Sequence, residues 1–64
     1  DINNADATTL AAELNGVGIS KAAAIVAYRE ANGPFLHIED LSNVKGIGVK
    51  TVEKNRSNLV IEVN

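Results

Sequence analysis

Gly16-Val17-Gly18 and Gly46-Ile47-Gly48 are the stretches on which the fold of this chain turns. Each is a Gly-x-Gly hairpin with an apolar residue at its tip. A short apolar segment precedes each one and a plausible helix start follows, and the two lie thirty residues apart. Asn15-Gly16 ends the first helix, because both residue types tolerate positive φ. Gly18 and Gly48 then open new helices. One Gly-x-Gly is only a tight turn between helices. Two in the same local context mark a duplicated unit of short helix, hairpin and longer helix.

The 64 residues are read as a single domain, with a first unit over about 5–32 and a second over about 36–57. With one Phe, one Tyr and no Trp, the core must be aliphatic. There is no Cys, which excludes disulfides and thiolate metal sites. No apolar run is long enough to span a bilayer. The chain begins at Asp1 rather than Met, as a processed mature protein or an excised domain would.

The net charge of −2 argues against a nucleic-acid binder driven by bulk charge. The distribution says more. Residues 45–56 hold Lys45, Lys50, Lys54 and Arg56 against Glu53, a net of +3, and the remainder carries −5. The positive segment lies on the second hairpin.

Taken in order, residues 1–4 are polar and read as frayed. Asn4 or Asp6 caps a helix running to about Leu14, whose buried face is Ala7, Leu10, Ala11 and Leu14. Gly18 caps the next, from about Ile19 to Asn32, with a thin face built on Ala22, Ala23, Ile25, Val26 and Ala27. Asn32-Gly33-Pro34 ends it. Phe35, Leu36 and Ile38 return to the core, and His37 caps the following helix or faces solvent. Glu39 and Asp40 suit the positive first turn of a short helix, with Leu41 and Val44 inward. The last helix runs from Gly48 to near Ser57. The tail Leu59-Val60-Ile61-Glu62-Val63 is expected to cover the open end of the core, the alternative being the start of a further segment.

A helix start leaves backbone N–H groups unpaired and carries positive partial charge, and phosphate satisfies both. Glycine matters there because a Cβ keeps the backbone away from the phosphate. The candidate binding residues of the first unit are Gly16, Val17, Gly18, Ile19, Ser20 and Lys21. Those of the second are Lys45, Gly46, Ile47, Gly48, Val49, Lys50, Thr51 and Lys54. Ser20 and Thr51 add hydroxyl donors, and the four lysines supply charge. Neither hairpin has the third glycine and preceding strand of a dinucleotide site, and no Gly-Lys-Ser/Thr loop occurs. No acid pair, Ser/His/Asp set or Cys nucleophile suggests catalysis, so no enzyme is expected. A single His without Cys gives no transition-metal site.

Leu14-Asn15-Gly16-Val17-Gly18-Ile19-Ser20-Lys21-Ala22 and Val44-Lys45-Gly46-Ile47-Gly48-Val49-Lys50-Thr51-Val52 each resemble the helix-hairpin-helix motif. The doubled arrangement resembles the tandem helix-hairpin-helix domain, an all-α fold of four to five short helices with a pseudo-two-fold repeat. Ile2-Asn3, Ala24-Ile25-Val26-Ala27-Tyr28-Arg29, Gly33-Pro34-Phe35 and Lys45-Gly46-Ile47-Gly48 further resemble the ComEA competence family, over roughly residues 2–56. Asn15 replaces the Pro often found before the first hairpin, and Val52 stands where a small Ala is common.

The resemblance implies sequence-independent binding of double-stranded DNA through its sugar-phosphate backbone. It further implies a role as DNA receptor for uptake in natural transformation, working with uptake machinery. The chain carries no membrane anchor, so the resemblance implies the short periplasmic form or an excised domain. No cofactor is expected, although some helix-hairpin-helix units hold a monovalent cation on hairpin carbonyls. The alternative is a structural protein-interaction module whose hairpins only pack helices.

Overall fold

The computed structural model describes residues 1–59, and every regular element among them is helical. Helix α1 spans Ala7–Glu13 and α2 spans Ile19–Asn32. A 3₁₀ helix follows at Ile38–Asn43, then α3 at Val49–Asn55 and a closing 3₁₀ turn at Arg56–Asn58. The all-α tandem arrangement expected from the two hairpins is the one observed.

The boundaries have local causes. Asp6 starts α1: its side chain accepts from the Thr9 N–H at 2.8 Å, satisfying a donor with no partner inside the helix. Gly18 and Gly48 start α2 and α3 from extended backbone, without a side-chain cap. At the other end of α2, the Gly33 N–H closes on the Arg29 carbonyl at 2.9 Å. The short helix read at Glu39–Val44 is a 3₁₀ helix rather than an α-helix. Its bonds run three residues back, from Asp40 N–H to the His37 carbonyl and from Val44 N–H to the Leu41 carbonyl, both 3.0 Å. Ser42 Oγ donates to the Glu39 carbonyl at 2.8 Å and helps hold the tighter winding. The second copy of the unit is thus a tightened version of the first.

The core draws equally on both copies. Leu14, Val17, Ala22 and Ile25 are buried in the first, and thirty residues later Val44, Ile47, Val52 and Asn55 are buried in the second. Leu10, Leu41, Phe35 and Ile2 join them in one apolar cluster. Each large aliphatic side chain so buried contributes about 1.5–3 kcal/mol, which neither copy could collect alone. Tyr28 is half-buried at the edge and stacks on Phe35, with centroids 5.4 Å apart and planes 13° apart.

Two further expectations are corrected. Residues 1–4 are not frayed. Ile2 is buried, and Asn3 exchanges two bonds with Phe35: Nδ2 to its carbonyl at 2.9 Å and its N–H to Oδ1 at 2.7 Å. Arg29 Nη1 adds bonds to the Ile2 and Ala5 carbonyls at 2.9 and 2.6 Å. A polar segment is held because its polar groups find fixed partners. Leu36 does not enter the core but is 64% exposed. Outside a helix, neighbouring side chains point apart, and burying Phe35 turns Leu36 outward. Of the tail, Leu59 is buried as expected, while residues 60–63 lie outside the described residues.

Arg56 ties the second unit together. Nη1 donates to Glu39 on the 3₁₀ helix, and Nε and Nη2 donate to Glu53 one turn back, all at 3.0 Å. Glu53 is held below the usual carboxylate range by these bonds to Arg56. Glu39 is lowered first by a backbone N–H and then by Arg56. Asp6 is lowered by its bond from the Thr9 N–H. A carboxylate whose folded pKa is depressed adds stability above its unfolded pKa and loses it as pH falls through the folded value. Stability should therefore be level near neutrality and decline once pH drops below about 4. A thermal melt series from pH 7 to pH 2 checks this, and a Tm that is unchanged or higher at the acid end would contradict it.

Candidate nucleic-acid interface

Residues 14–20 and 44–50 repeat one local structure. They pass through the same succession of conformations and the same order of buried and exposed positions. Gly16 and Gly46 sit at φ +79° and +92°, a region that a residue with a Cβ enters only with strain, so these two glycines are required by the turn itself. Asn15 is not in that region; Gly16 alone takes the positive φ. Val17 and Ile47, at the tips, point inward and are 5% and 4% exposed. Their side chains anchor each hairpin to the core and have no surface to offer a ligand. Of these two, only Val17 has an N–H with no acceptor among the described residues, because the Ile47 N–H already donates to the Val44 carbonyl at 3.0 Å.

The remaining candidates face outward. Gly16, Gly18, Ile19, Ser20 and Lys21 are exposed, as are Lys45, Gly46, Gly48, Val49, Lys50 and Lys54, while Thr51 is half-buried. The first intrahelical bonds come from Ala22 N–H to the Gly18 carbonyl at 2.9 Å and from Val52 N–H to the Gly48 carbonyl at 3.2 Å. Among the described residues nothing accepts from the N–H of Gly16, Gly18, Ile19 or Ser20, nor from that of Gly46, Gly48, Val49 or Lys50. Phosphate capture requires amides that are not already bonded, and at both hairpins these amides belong to exposed residues and have no acceptor among the described residues.

Charge divides cleanly by residue type. Arg29 is committed to backbone carbonyls and Arg56 to Glu39 and Glu53. Lys21, Lys45, Lys50 and Lys54 are exposed and form no ion pair among the described residues. Arg56, counted with the positive segment in the sequence, is thus neutralised within the second unit. The charge available at the hairpins is that of the lysines. Lys54 Nζ lies 3.9 Å from where a Cβ on Gly16 would stand, and the Lys21 stem passes 3.7 Å from the same point on Gly46.

Asn55 is a site residue that is not among the candidates the sequence offers. It is 1% exposed, the buried polar side chain of the core. Its Oδ1 accepts from the Asn15 N–H at 2.7 Å, and its Nδ2 donates to the Asn15 and Thr51 carbonyls, both at 2.9 Å. The last residue of α3 thereby fixes the entry to the first hairpin, forty positions away in the chain. A signal was present: thirty residues earlier the repeat has Ile25, so position 55 is a core position occupied by an amide. A buried amide implies a specific set of partners.

Two hairpins of one geometry, each joining a short helix to the next and sharing one core, define an all-α protein of paired helix–hairpin–helix units. The family model described as "Helix-hairpin-helix motif" matches residues 1–60, and the chain belongs to that family. An uncharacterized protein of Haemophilus influenzae is 47% identical over 60 residues, covering 94% of this chain and 54% of that protein. ComE operon protein 1 of Bacillus subtilis is 53% identical over 49 residues, 77% of this chain and 24% of that protein. Kinesin-like protein KIF22 of Xenopus tropicalis is 46% identical over 39 residues, 61% of this chain but 6% of that protein. The chain therefore spans about half of the first relative and about a quarter of the second. The ComEA-like helix-hairpin-helix character read from the sequence stands on the family match and the Bacillus relative.

Proposed function

We propose that this chain binds duplex DNA without sequence preference, by capturing backbone phosphates on the two hairpins. The observation that carries the proposal is the pair of matched turns with exposed, unbonded amides, bordered by lysines that no carboxylate neutralises among the described residues. Phosphate accepts from the amides, and Lys50 and Lys45 add charge at the second turn. Ile19 and Val49 are 57% and 67% exposed at matching positions, the first residues of α2 and α3. Apolar groups placed there suit the deoxyribose faces beside each phosphate. Nothing in the arrangement reads base edges, so contacts should position the duplex without selecting a sequence.

The finer proposal is a DNA receptor for uptake in natural transformation, acting in the periplasm beside uptake machinery. Similarity to ComE operon protein 1 supports the competence part of this reading. The mechanism uses binding alone and no catalytic step. It also uses no cofactor. A monovalent cation at the first hairpin would share its turn with the Lys54 ammonium beside Gly16, and like charges repel.

Fluorescence anisotropy with unrelated duplexes of equal length, repeated across a salt series, tests the binding. Affinity should be independent of sequence. With three or four phosphates neutralised, the log–log salt slope should be about −3 to −4. A protein-interaction module would show no salt-sensitive binding to any duplex, and that outcome would replace the DNA reading.

A further inference from the structure

We propose that each hairpin is served by the lysine of the other unit: Lys54 completes the phosphate site at Gly16, and Lys21 completes the one at Gly46. This rests on the DNA reading above and assigns the charges within it. Sequence proximity argues for the opposite pairing. Lys21 lies just past the first hairpin and Lys54 lies past the second. The fold crosses them over. Lys54 Nζ reaches to 3.9 Å from the position a Cβ on Gly16 would take. Lys21 lays Cγ and Cε 3.7 Å, and Cδ 3.9 Å, from the equivalent point on Gly46.

Two features make the crossing more than proximity. It is reciprocal, although the repeat does not supply it: thirty residues from Lys21 stands Thr51, and thirty residues before Lys54 stands Ala24. Two lysines at different register positions have reached opposite hairpins, Lys54 with its ammonium beside Gly16 and Lys21 with its stem along Gly46. Each also lies beside a turn whose amides are themselves positive donors, with no ion pair to either lysine among the described residues. An ammonium and a set of N–H groups cannot satisfy each other. One phosphate between them accepts from both. A Cβ at Gly16 or Gly46 would meet the lysine only at ordinary contact distance, so it is the positive φ of the turn that reserves these positions for glycine. It follows that neither helix–hairpin–helix unit is complete alone, since each phosphate site takes its charge from the other unit.

Double-mutant cycles on duplex affinity test the crossing. Gly18→Val obstructs the first turn and Gly48→Val the second, and an added Cβ meets nothing within 4 Å at either position. Lys54→Ala should weaken binding about five- to tenfold near 0.1 M salt, as loss of one phosphate contact predicts. In the Gly18→Val background its effect should shrink to less than about twofold, while in the Gly48→Val background it should persist in full. Lys21→Ala should show the mirror pattern, silenced by Gly48→Val and not by Gly18→Val. Lys54→Arg should retain affinity. Should a valine variant melt early, Gly18→Ala and Gly48→Ala carry the same cycles. Coupling of each lysine to the hairpin nearest in sequence would overturn the assignment, as would additivity in every background. A wild-type protein without salt-sensitive duplex binding would remove the DNA reading itself before any cycle is measured.

Discussion

Gly18→Val combined with Gly48→Val is expected to abolish duplex binding, by at least ~100-fold, while leaving the helical fold intact. Both glycines occupy extended backbone, at φ −84° and −99° with ψ near 180°, which valine adopts readily. A Cβ there touches nothing within 4 Å, so the protein interior does not resist it. The cost to the fold is limited to poorer helix caps, about 1 kcal/mol at each site. The cost to binding is larger. Each isopropyl group stands among the amides of its turn and keeps a phosphate from hydrogen-bond distance. Hydrogen bonds to a charged acceptor are worth about 1.5–3 kcal/mol each, so losing one at each hairpin already exceeds a factor of ~100. Circular dichroism and a thermal melt establish that the variant is folded, and anisotropy measures what it binds. Intact affinity in a folded double variant would show that the turns are packing devices. Gly16 and Gly46 do not serve for this experiment, because their positive φ makes any substitution a perturbation of the fold as well.

Asn55→Ala should have the largest effect on stability. The side chain makes three hydrogen bonds inside the core, two of them to the backbone of Asn15 and one to the Thr51 carbonyl. Alanine leaves those groups without partners and opens a void where the amide stood. A loss of about 3 kcal/mol is expected, at roughly 1–3 kcal/mol for each buried group left unsatisfied. In a domain of this size, ~1 kcal/mol corresponds to about 4–8 °C, so the Tm should fall by at least ~12 °C. Asn55→Asp separates hydrogen bonding from volume. It keeps an acceptor for the Asn15 N–H but loses both donors, and it places a carboxyl against two carbonyl oxygens. Its folded pKa is then raised by burial. Such a group contributes most below its unfolded pKa and loses that contribution as pH rises, so this variant should gain relative to wild type on acidification. A Tm within a few degrees of wild type for Asn55→Ala would mean that water or a shifted backbone replaces the amide. The same contact accounts for Asn15 at a position where Pro is common: proline has no N–H to give to Asn55.

Much of the fold was legible along the chain because its causes are local. Asp6 is a cap within reach of Thr9, and Gly33-Pro34 follows α2 immediately. The three-and-four spacing of Leu10 and Leu14 marks a buried stripe with no reference to what covers it. The hairpins were legible for the same reason: φ +79° at Gly16 and +92° at Gly46 is a property of one residue in one turn. What escaped notice depends on partners far away in sequence. Residues 1–4 looked frayed because the amide of Asn3 finds Phe35, and the Ile2 carbonyl finds Arg29, only after α2 has folded back. Leu36 looked like core until the burial of Phe35 turned it outward.

By itself the sequence determined that the chain would be helical, duplicated about two glycine turns, and built on an aliphatic core. Those features follow from conformational preference and periodicity, which act over a few residues. Only the tertiary structure decided that Val17 and Ile47 belong to the core, that Asn55 secures the first hairpin, and that the arginines are spent on internal bonds while the lysines form no ion pair among the described residues. It alone brought Lys54 to Gly16 and Lys21 to Gly46. The reason is that a side chain's direction and neighbours depend on how the two units close against each other. That closure is set by packing across the whole core, and no window of neighbouring residues contains it.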